Sequence, residues 1–244
     1  MNIALIGHGR MGREVESLAR EKGLRIAAVF TEENNARGRG LTPASLREAE
    51  VCIDFSSPSS AVENIEAAAA CGKNIVVGTT GWYDRLEHVR RIVKERGIGL
   101  VYAPNFSLGV ALFAQVAVDA ARLIGSHPEY DAAIHEEHHA GKADSPSGTA
   151  LSLGALLLQA LRRKTEILHE TSHGPIQPHQ LHVTASRVGH ATGTHSIVFD
   201  SEADTITLIH TARNRRGFAL GALTAAEWVR GKQGCYTMRD VILP

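Results

Sequence analysis

Residues 1–12 read Met-Asn-Ile-Ala-Leu-Ile-Gly-His-Gly-Arg-Met-Gly. An apolar run, Asn2–Ile6, feeds directly into a G-x-G-x-x-G turn, Gly7–Gly12. Met11, Val15, Leu18 and Ala19 follow at helical spacing, and Gly23 stands where a helix stops. Strand, glycine turn and helix in that order form the setting in which this turn holds a dinucleotide pyrophosphate. Gly7 permits the tight bend, Gly9 lets the backbone approach the phosphates, and Gly12 lets the helix pack closely on the strand. The helix N-terminus adds unpaired N–H groups and a positive dipole end.

The same alternation continues. Apolar runs at Leu24–Phe30, Val51–Phe55, Asn74–Val77 and Gly99–Ala103 are separated by helical patterns at Ser59–Cys71 and Tyr83–Arg96. Strands apolar on both faces, with helices between them, predict a doubly wound, Rossmann-type parallel sheet. After Phe106 the pattern changes. A helix is expected at Leu108–Ile124 and a strand at Tyr130–His138. Three runs then alternate apolar and polar residues without helices between them, His182–Gly189, Thr194–Phe199 and Thr205–Thr211. These predict an α+β domain with a mixed, mostly antiparallel sheet. His169–His179, rich in proline and histidine, is expected to be a loop, and Arg216–Arg230 a last helix. The expected division is a dinucleotide-binding domain, 1–106 and 217–244, and a substrate-binding and oligomerisation domain, 107–216.

Composition agrees with this reading. The 244 residues carry 26 Lys+Arg against 26 Asp+Glu, a formal charge of zero that argues against nucleic acid or an anionic membrane as partner. No apolar run approaches the ~20 residues a membrane helix needs. The N-terminal residues predict a strand and turn rather than a signal segment, and Cys52, Cys71 and Cys235 are too scattered for a disulfide or zinc framework. A cytoplasmic protein is expected.

Cofactor candidates cluster at predicted strand ends, where open α/β sheets bind ligands. They are Gly7, His8, Gly9, Arg10, Met11 and Gly12; Thr31 and Glu32; Gly78, Thr79 and Thr80; and Ala103, Pro104, Asn105 and Phe106. Turn chemistry alone also accounts for Gly, Pro and Asn at such places. Glu32 and Glu33 stand where a ribose-binding acid is expected, whereas Arg37 and Arg39 suit a 2′-phosphate, so the cofactor is NADH or NADPH.

Residues 135–150 read His-Glu-Glu-His-His-Ala-Gly-Lys-Ala-Asp-Ser-Pro-Ser-Gly-Thr-Ala. H-E-x-x-H occurs within them, but that zinc signature requires a helix that puts both histidines on one face. Strand-like residues precede it, Gly141 and Pro146 follow, and no metal is expected. Acid–base chemistry fits better: histidine exchanges protons near neutral pH. A lysine near a helix N-terminus, with the N–H groups of Gly148 and Thr149, suits a carboxylate. A small anionic substrate beside a nicotinamide follows.

This segment resembles the hallmark E-x-H-H-x-x-K-x-D-A-P-S-G-T-A of the 4-hydroxy-tetrahydrodipicolinate reductase (dihydrodipicolinate reductase) family. Glu136, His138, His139, Lys142, Asp144, Pro146, Ser147, Gly148, Thr149 and Ala150 match, and Ser145 replaces the alanine. The resemblance extends to G-x-G-R-M-G, V-G-T-T-G, A-P-N-F and M-R-D-V at 238–241. It implies nicotinamide-dependent reduction of an imine formed from 4-hydroxy-tetrahydrodipicolinate, giving tetrahydrodipicolinate, in the diaminopimelate–lysine pathway. His138 then matches a proton donor/acceptor, Lys142 a proton donor, and His139, Gly148 and Thr149 the carboxylate binders. A small dicarboxylate substrate and a homotetramer are implied. Thr31 departs from the acid that often follows the second strand in the family. The competing readings are another NAD(P)-dependent amino-acid dehydrogenase and a non-catalytic dinucleotide-binding sensor.

Overall fold

The structure is a computed structural model and describes residues 1–170 and 172–243. It divides into two compact units, Met1–Ala111 with Arg215–Pro244, and Leu112–Asn214.

In the first unit, β1 (Asn2–Ile6), α1 (Arg10–Glu21), β2 (Arg25–Phe30), β3 (Val51–Asp54), α2 (Ala61–Ala70), β4 (Asn74–Val77), α3 (Leu86–Arg96) and β5 (Gly99–Tyr102) alternate along the chain. All strand pairings in the sheet are parallel. Successive residues of β1 face opposite layers. Ile3 and Leu5 pack with Val15 and Leu18 of α1, while Ala4 and Ile6 join the cluster that holds Ile65 and Ala68 of α2. Burying each such Leu or Ile contributes about 1.5–3 kcal/mol. This two-sided burial explains why the strands read as unbroken apolar runs.

The strand order is β11-β5-β4-β3-β1-β2. Its edge strand β11 (Gly234–Tyr236) is too short to announce itself in the sequence. The last long helix, α6 (Arg216–Val229), lies in this unit and packs its small residues Ala219, Ala222 and Ala226 against the α1 face. A short terminal helix, α7 (Met238–Ile242), starts in a Thr237–Asp240 capping box.

The second unit holds most of α4 (Leu108–Ile124), then β6 (Asp131–His138), α5 (Gly148–Ala160), β7 (Glu166–Leu168), β8 (Gln180–Arg187), β9 (Thr194–Asp200) and β10 (Thr205–Thr211). The order β10-β9-β6-β8-β7 makes the expected mixed sheet, with its longest ladders antiparallel. Two pairings are antiparallel, β10–β9 and β9–β6, and two are parallel, β6–β8 and β8–β7. Alternation reveals which faces are wet but not strand direction. The crossover through α5, and the unpredicted strand β7, return the chain parallel to β6. Of the expected loop His169–His179, Thr171 lies outside the described residues, and the others form neither helix nor strand. No helix of the described residues is long and apolar enough to cross a membrane.

Candidate active site

The cofactor candidates all sit at the carboxyl ends of strands in the first sheet: Gly7–Gly12 after β1, Thr31 and Glu32 after β2, Gly78–Thr80 after β4, Ala103–Phe106 after β5. Strand order reverses between β1 and β3, which is where such sheets hold ligands. Gly7 has φ +87°, and a Cβ there would overlap the Phe55 carbonyl. A Cβ on Gly12 would overlap the Gly7 carbonyl, whereas one on Gly9 would meet only open space. The α1 N-terminus is capped by Gly9 without a side-chain hydrogen bond, and its first turn holds no acid. Those features fit a pyrophosphate. His8 Nε2 is held 2.6 Å from Glu16 Oε2.

Several candidates are spent internally. Thr79 is buried, and its hydroxyl donates to Asp54 Oδ1 at 2.6 Å. The Thr79 carbonyl accepts from the Trp82 indole at 2.7 Å. The Phe106 ring is buried edge-on to Phe55 at a centroid distance of 6.1 Å. Thr31 N–H donates to Asn34 Oδ1, and Glu32 is exposed.

The second cluster is built on β6. Ala132, Ile134, Glu136 and His138 share one face by the two-residue period of a strand. The first two enter the apolar core, and Glu136 is fully buried just beyond them. Three groups surround its carboxylate. Ser147, the N-cap of α5, donates its N–H to Oε1 at 2.7 Å and its hydroxyl to Oε2. Arg187, at the end of β8 beside His138, donates Nη2 to Oε1 at 2.9 Å. His195, opposite Glu136 on β9, has Nε2 3.5 Å from Oε2. Burial works against the charge of Glu136. The hydrogen bonds from His195, Ser147 and Arg187 outweigh it and hold the carboxyl well below its ordinary range.

His138 Nδ1 lies 3.0 Å from Glu136 Oε2, although the ring makes no aligned hydrogen bond there. Burial pushes the imidazole below its ordinary range, His195, Lys142 and Arg187 push the same way, and Glu136 opposes them. Lys142 Nζ donates to Asp144 Oδ1 at 2.6 Å. Asp144 Oδ2 accepts the Gly148 N–H at 3.3 Å, and its carbonyl accepts from Arg187 at 2.5 Å. His139 and Gly148 are exposed, and Thr149 is half-buried in the first turn of α5. Thus His138, Lys142, Gly148 and Thr149 belong to one strand–loop–helix connection.

His135 lies on the exposed face of β6, opposite Glu136, and His139 falls just beyond the strand's end, so the H-E-x-x-H residues lie on no helix and the glutamate faces away from His135. Glu136, His138 and His195 do offer atoms within 4.8 Å of one another. The Arg187 guanidinium also engages that carboxylate, at 2.9 Å. Sequence reasoning missed Arg187 and His195 and gave Glu136 no role. The signal was in the phase of alternation: Arg187 is in step with Leu181 and Val183, and His195 with Ile197 and Phe199, all inward-facing.

Known proteins resemble the whole chain. The dihydrodipicolinate reductase N-terminal family matches residues 1–106, and the C-terminal family of the same reductase matches 109–242. A 4-hydroxy-tetrahydrodipicolinate reductase from Christiangramia forsetii is 38% identical over 243 residues, covering 99% of this chain and 98% of its own. The Methanopyrus kandleri enzyme of that name is 37% identical, covering 92% and 82%. A dipicolinate-bound dihydrodipicolinate reductase from Paenisporosarcina sp. TG-14 superposes with a TM-score of 0.80 at 22% identity, over 100% of this chain and 99% of that one, and shares its fold. The chain belongs to the dihydrodipicolinate reductase family.

Proposed function

We propose that the chain reduces the imine derived from 4-hydroxy-tetrahydrodipicolinate to tetrahydrodipicolinate, with NADH or NADPH, in diaminopimelate–lysine biosynthesis. Family membership supports this, and the observation that carries it is the connection from His138 to Thr149. That connection sets an imidazole, an ammonium and a helix N-terminus together. No observation favours a different amino-acid dehydrogenase or a non-catalytic sensor.

A bound reduced nicotinamide supplies the hydride. Hydride addition to the conjugated imine builds negative charge that a proton must quench, and a positioned acid contributes typically ~10²–10⁴-fold. We assign the proton handling to His138 and Lys142. Partial burial lowers the proton affinity of His138 and so favours the neutral imidazole in the unliganded chain. A dianionic substrate raises that affinity, since an opposite charge nearby favours the imidazolium. His139, Gly148 and Thr149 hold a substrate carboxylate. The Gly148 N–H is shared with Asp144 through a long 3.3 Å bond, which a substrate carboxylate displaces readily.

Gly7, His8, Gly9, Arg10, Met11 and Gly12 receive the pyrophosphate. Thr31 and Glu32 face the adenosine ribose, and Gly78–Thr80 with Ala103–Phe106 line the nicotinamide end. Given the inward-turned hydroxyl of Thr79 and ring of Phe106, these two contribute through backbone and shape. The division into a cofactor domain, 1–106 and 217–244, and a substrate domain, 107–216, follows from these roles. A cytoplasmic homotetramer completes the reading. The test is a paired NADH/NADPH titration with the pathway intermediate, following the reduced nicotinamide by absorbance. Oxidation with at least one cofactor is expected, and none with either overturns the reading.

A further inference from the structure

We propose that Glu136 and Arg187 form a positioning pair: one buried carboxylate decides which nitrogen of His138 carries the proton and, through Ser147, anchors the helix start beside it. The proposal rests on the assignment of proton handling to His138.

Glu136 occupies a place where the alternation of β6 calls for an apolar side chain, after Ala132 and Ile134. An isolated buried carboxylate costs several kcal/mol, and a hydrocarbon of similar volume would extend the core without that cost. The chain instead surrounds the carboxylate with matched groups. Arg187 engages Oε1 at 2.9 Å, and the Ser147 N–H engages the same atom at 2.7 Å. Oε2 takes the Ser147 hydroxyl and stands 3.0 Å from His138 Nδ1. Both functional elements thus meet one side chain: the proton-handling imidazole and the α5 N-terminus that carries Gly148 and Thr149.

The consequence for His138 is a choice of tautomer. A carboxylate beside Nδ1 favours the proton on that nitrogen and leaves Nε2 as the exchanging atom. Glu136 Oε2 stands 3.0 Å from Nδ1, close enough for a small ring rotation to align the bond, and among the described residues no other acceptor engages that nitrogen. The other charged or titratable groups acting on His138 are Arg187 from β8, His195 from β9 and Lys142 from the following loop, with Asp144 holding Lys142. Arg187 also donates to the Ser186 carbonyl at 2.7 Å and to the Asp144 carbonyl at 2.5 Å. It therefore ties the carboxylate to the loop bearing Lys142.

The test reads the imidazole directly. Histidine is labelled with ¹⁵N in the full chain, and the His138 ring is assigned by its loss in His138→Asn. Native protein, Glu136→Gln and Arg187→Gln are titrated without substrate. The neutral native ring is expected to carry its proton on Nδ1. Glu136→Gln should erase that preference and lower the titration midpoint by about one pH unit or more. Arg187→Gln should raise the midpoint, because it removes a repelling cation while leaving the carboxylate. A general packing defect would move both variants the same way, and that result, or no movement in either, overturns the proposal. Should Glu136→Gln fail to fold, Arg187→Gln decides alone: an unchanged or lowered midpoint overturns it. In turnover, Glu136→Gln should lower kcat while the KM for the nicotinamide cofactor holds. The titration needs no reaction, so failure of the reductase assay with the expected titration would refute the assigned reaction and not the pair.

Discussion

Gly193 walls the outer nitrogen of His138: a Cβ built on Gly193 would lie 2.9 Å from Nε2. The glycine has φ +133°, a backbone conformation that side chains rarely adopt. Gly193→Ala therefore forces the imidazole to move as well as straining the loop between β8 and β9. A displacement of about 1 Å at a reacting group costs on the order of 10²-fold in rate. We expect kcat to fall by roughly that factor while affinity for NADH or NADPH is kept. A variant with native kcat would show that Nε2 tolerates displacement and does not exchange the proton.

Lys142 is held 2.6 Å from Asp144, which also accepts the first amide of α5. Lys142→Ala removes the ammonium and leaves the Asp144 carboxylate without its ion-pair partner. Turnover should drop by about 10²–10⁴-fold, with cofactor binding by titration largely unchanged. Equal losses in turnover and cofactor affinity would contradict the role assigned to Lys142.

The first unit was largely legible because its strands are buried on both faces and its turns are marked by glycine. Gly7 and Gly12 sit where a Cβ would overlap backbone carbonyls, a requirement visible from spacing alone. The three-residue strands β7 and β11 were not, since so short a segment carries no period. The direction of β8 escaped for another reason: alternation is the same whichever way a strand runs. In the candidate site, His138 and Lys142 fall within one local motif. Arg187 and His195 lie 51 and 59 residues beyond Glu136 in number and reach it only through sheet pairing.

Stability should decline between about pH 7.5 and about pH 5.5 through the half-buried imidazoles of His210 and His138. His210 is pushed below its ordinary value of 6.5 by burial and by His195, and among the described residues its Nδ1 has no hydrogen-bond partner. The folded chain prefers the neutral ring. The stability this adds is complete above the unfolded value and is lost as pH falls through the folded one. His138 has the same sign. Glu136, also depressed, adds its loss only below its ordinary value of 4.5. Urea midpoints at the two pH values should differ less in His210→Gln than in the native chain. An equal or larger difference would exclude His210 as a source of the decline.

Asp54, at the end of β3, organises the polar groups beneath the turns proposed to hold the cofactor. It is fully buried and accepts from Thr79 Oγ1 at 2.6 Å, Ser56 N–H at 3.0 Å, Ser56 Oγ at 2.9 Å and Asn64 Nδ2 at 2.8 Å. Asn64 Oδ1 in turn accepts from Asn35 at 2.9 Å, and Asn35 Oδ1 accepts the Gly40 N–H at 3.0 Å. Burial raises the Asp54 carboxyl above its ordinary range against the pull of these bonds, so its charge lessens stability at neutral pH and that penalty fades as pH falls. Asp54→Ala would orphan several buried donors, each worth about 1–3 kcal/mol when left unmade. A loss of about 3 kcal/mol in urea unfolding is expected, with Asp54→Asn losing less because it keeps an acceptor. The network fixes Thr79 beside Gly78 and Ser56 beside the Phe55 carbonyl that Gly7 approaches. Cofactor affinity should therefore fall in Asp54→Ala and hold in Lys142→Ala. Native affinity and an unmoved urea midpoint in Asp54→Ala would show that the turns stand without the carboxylate.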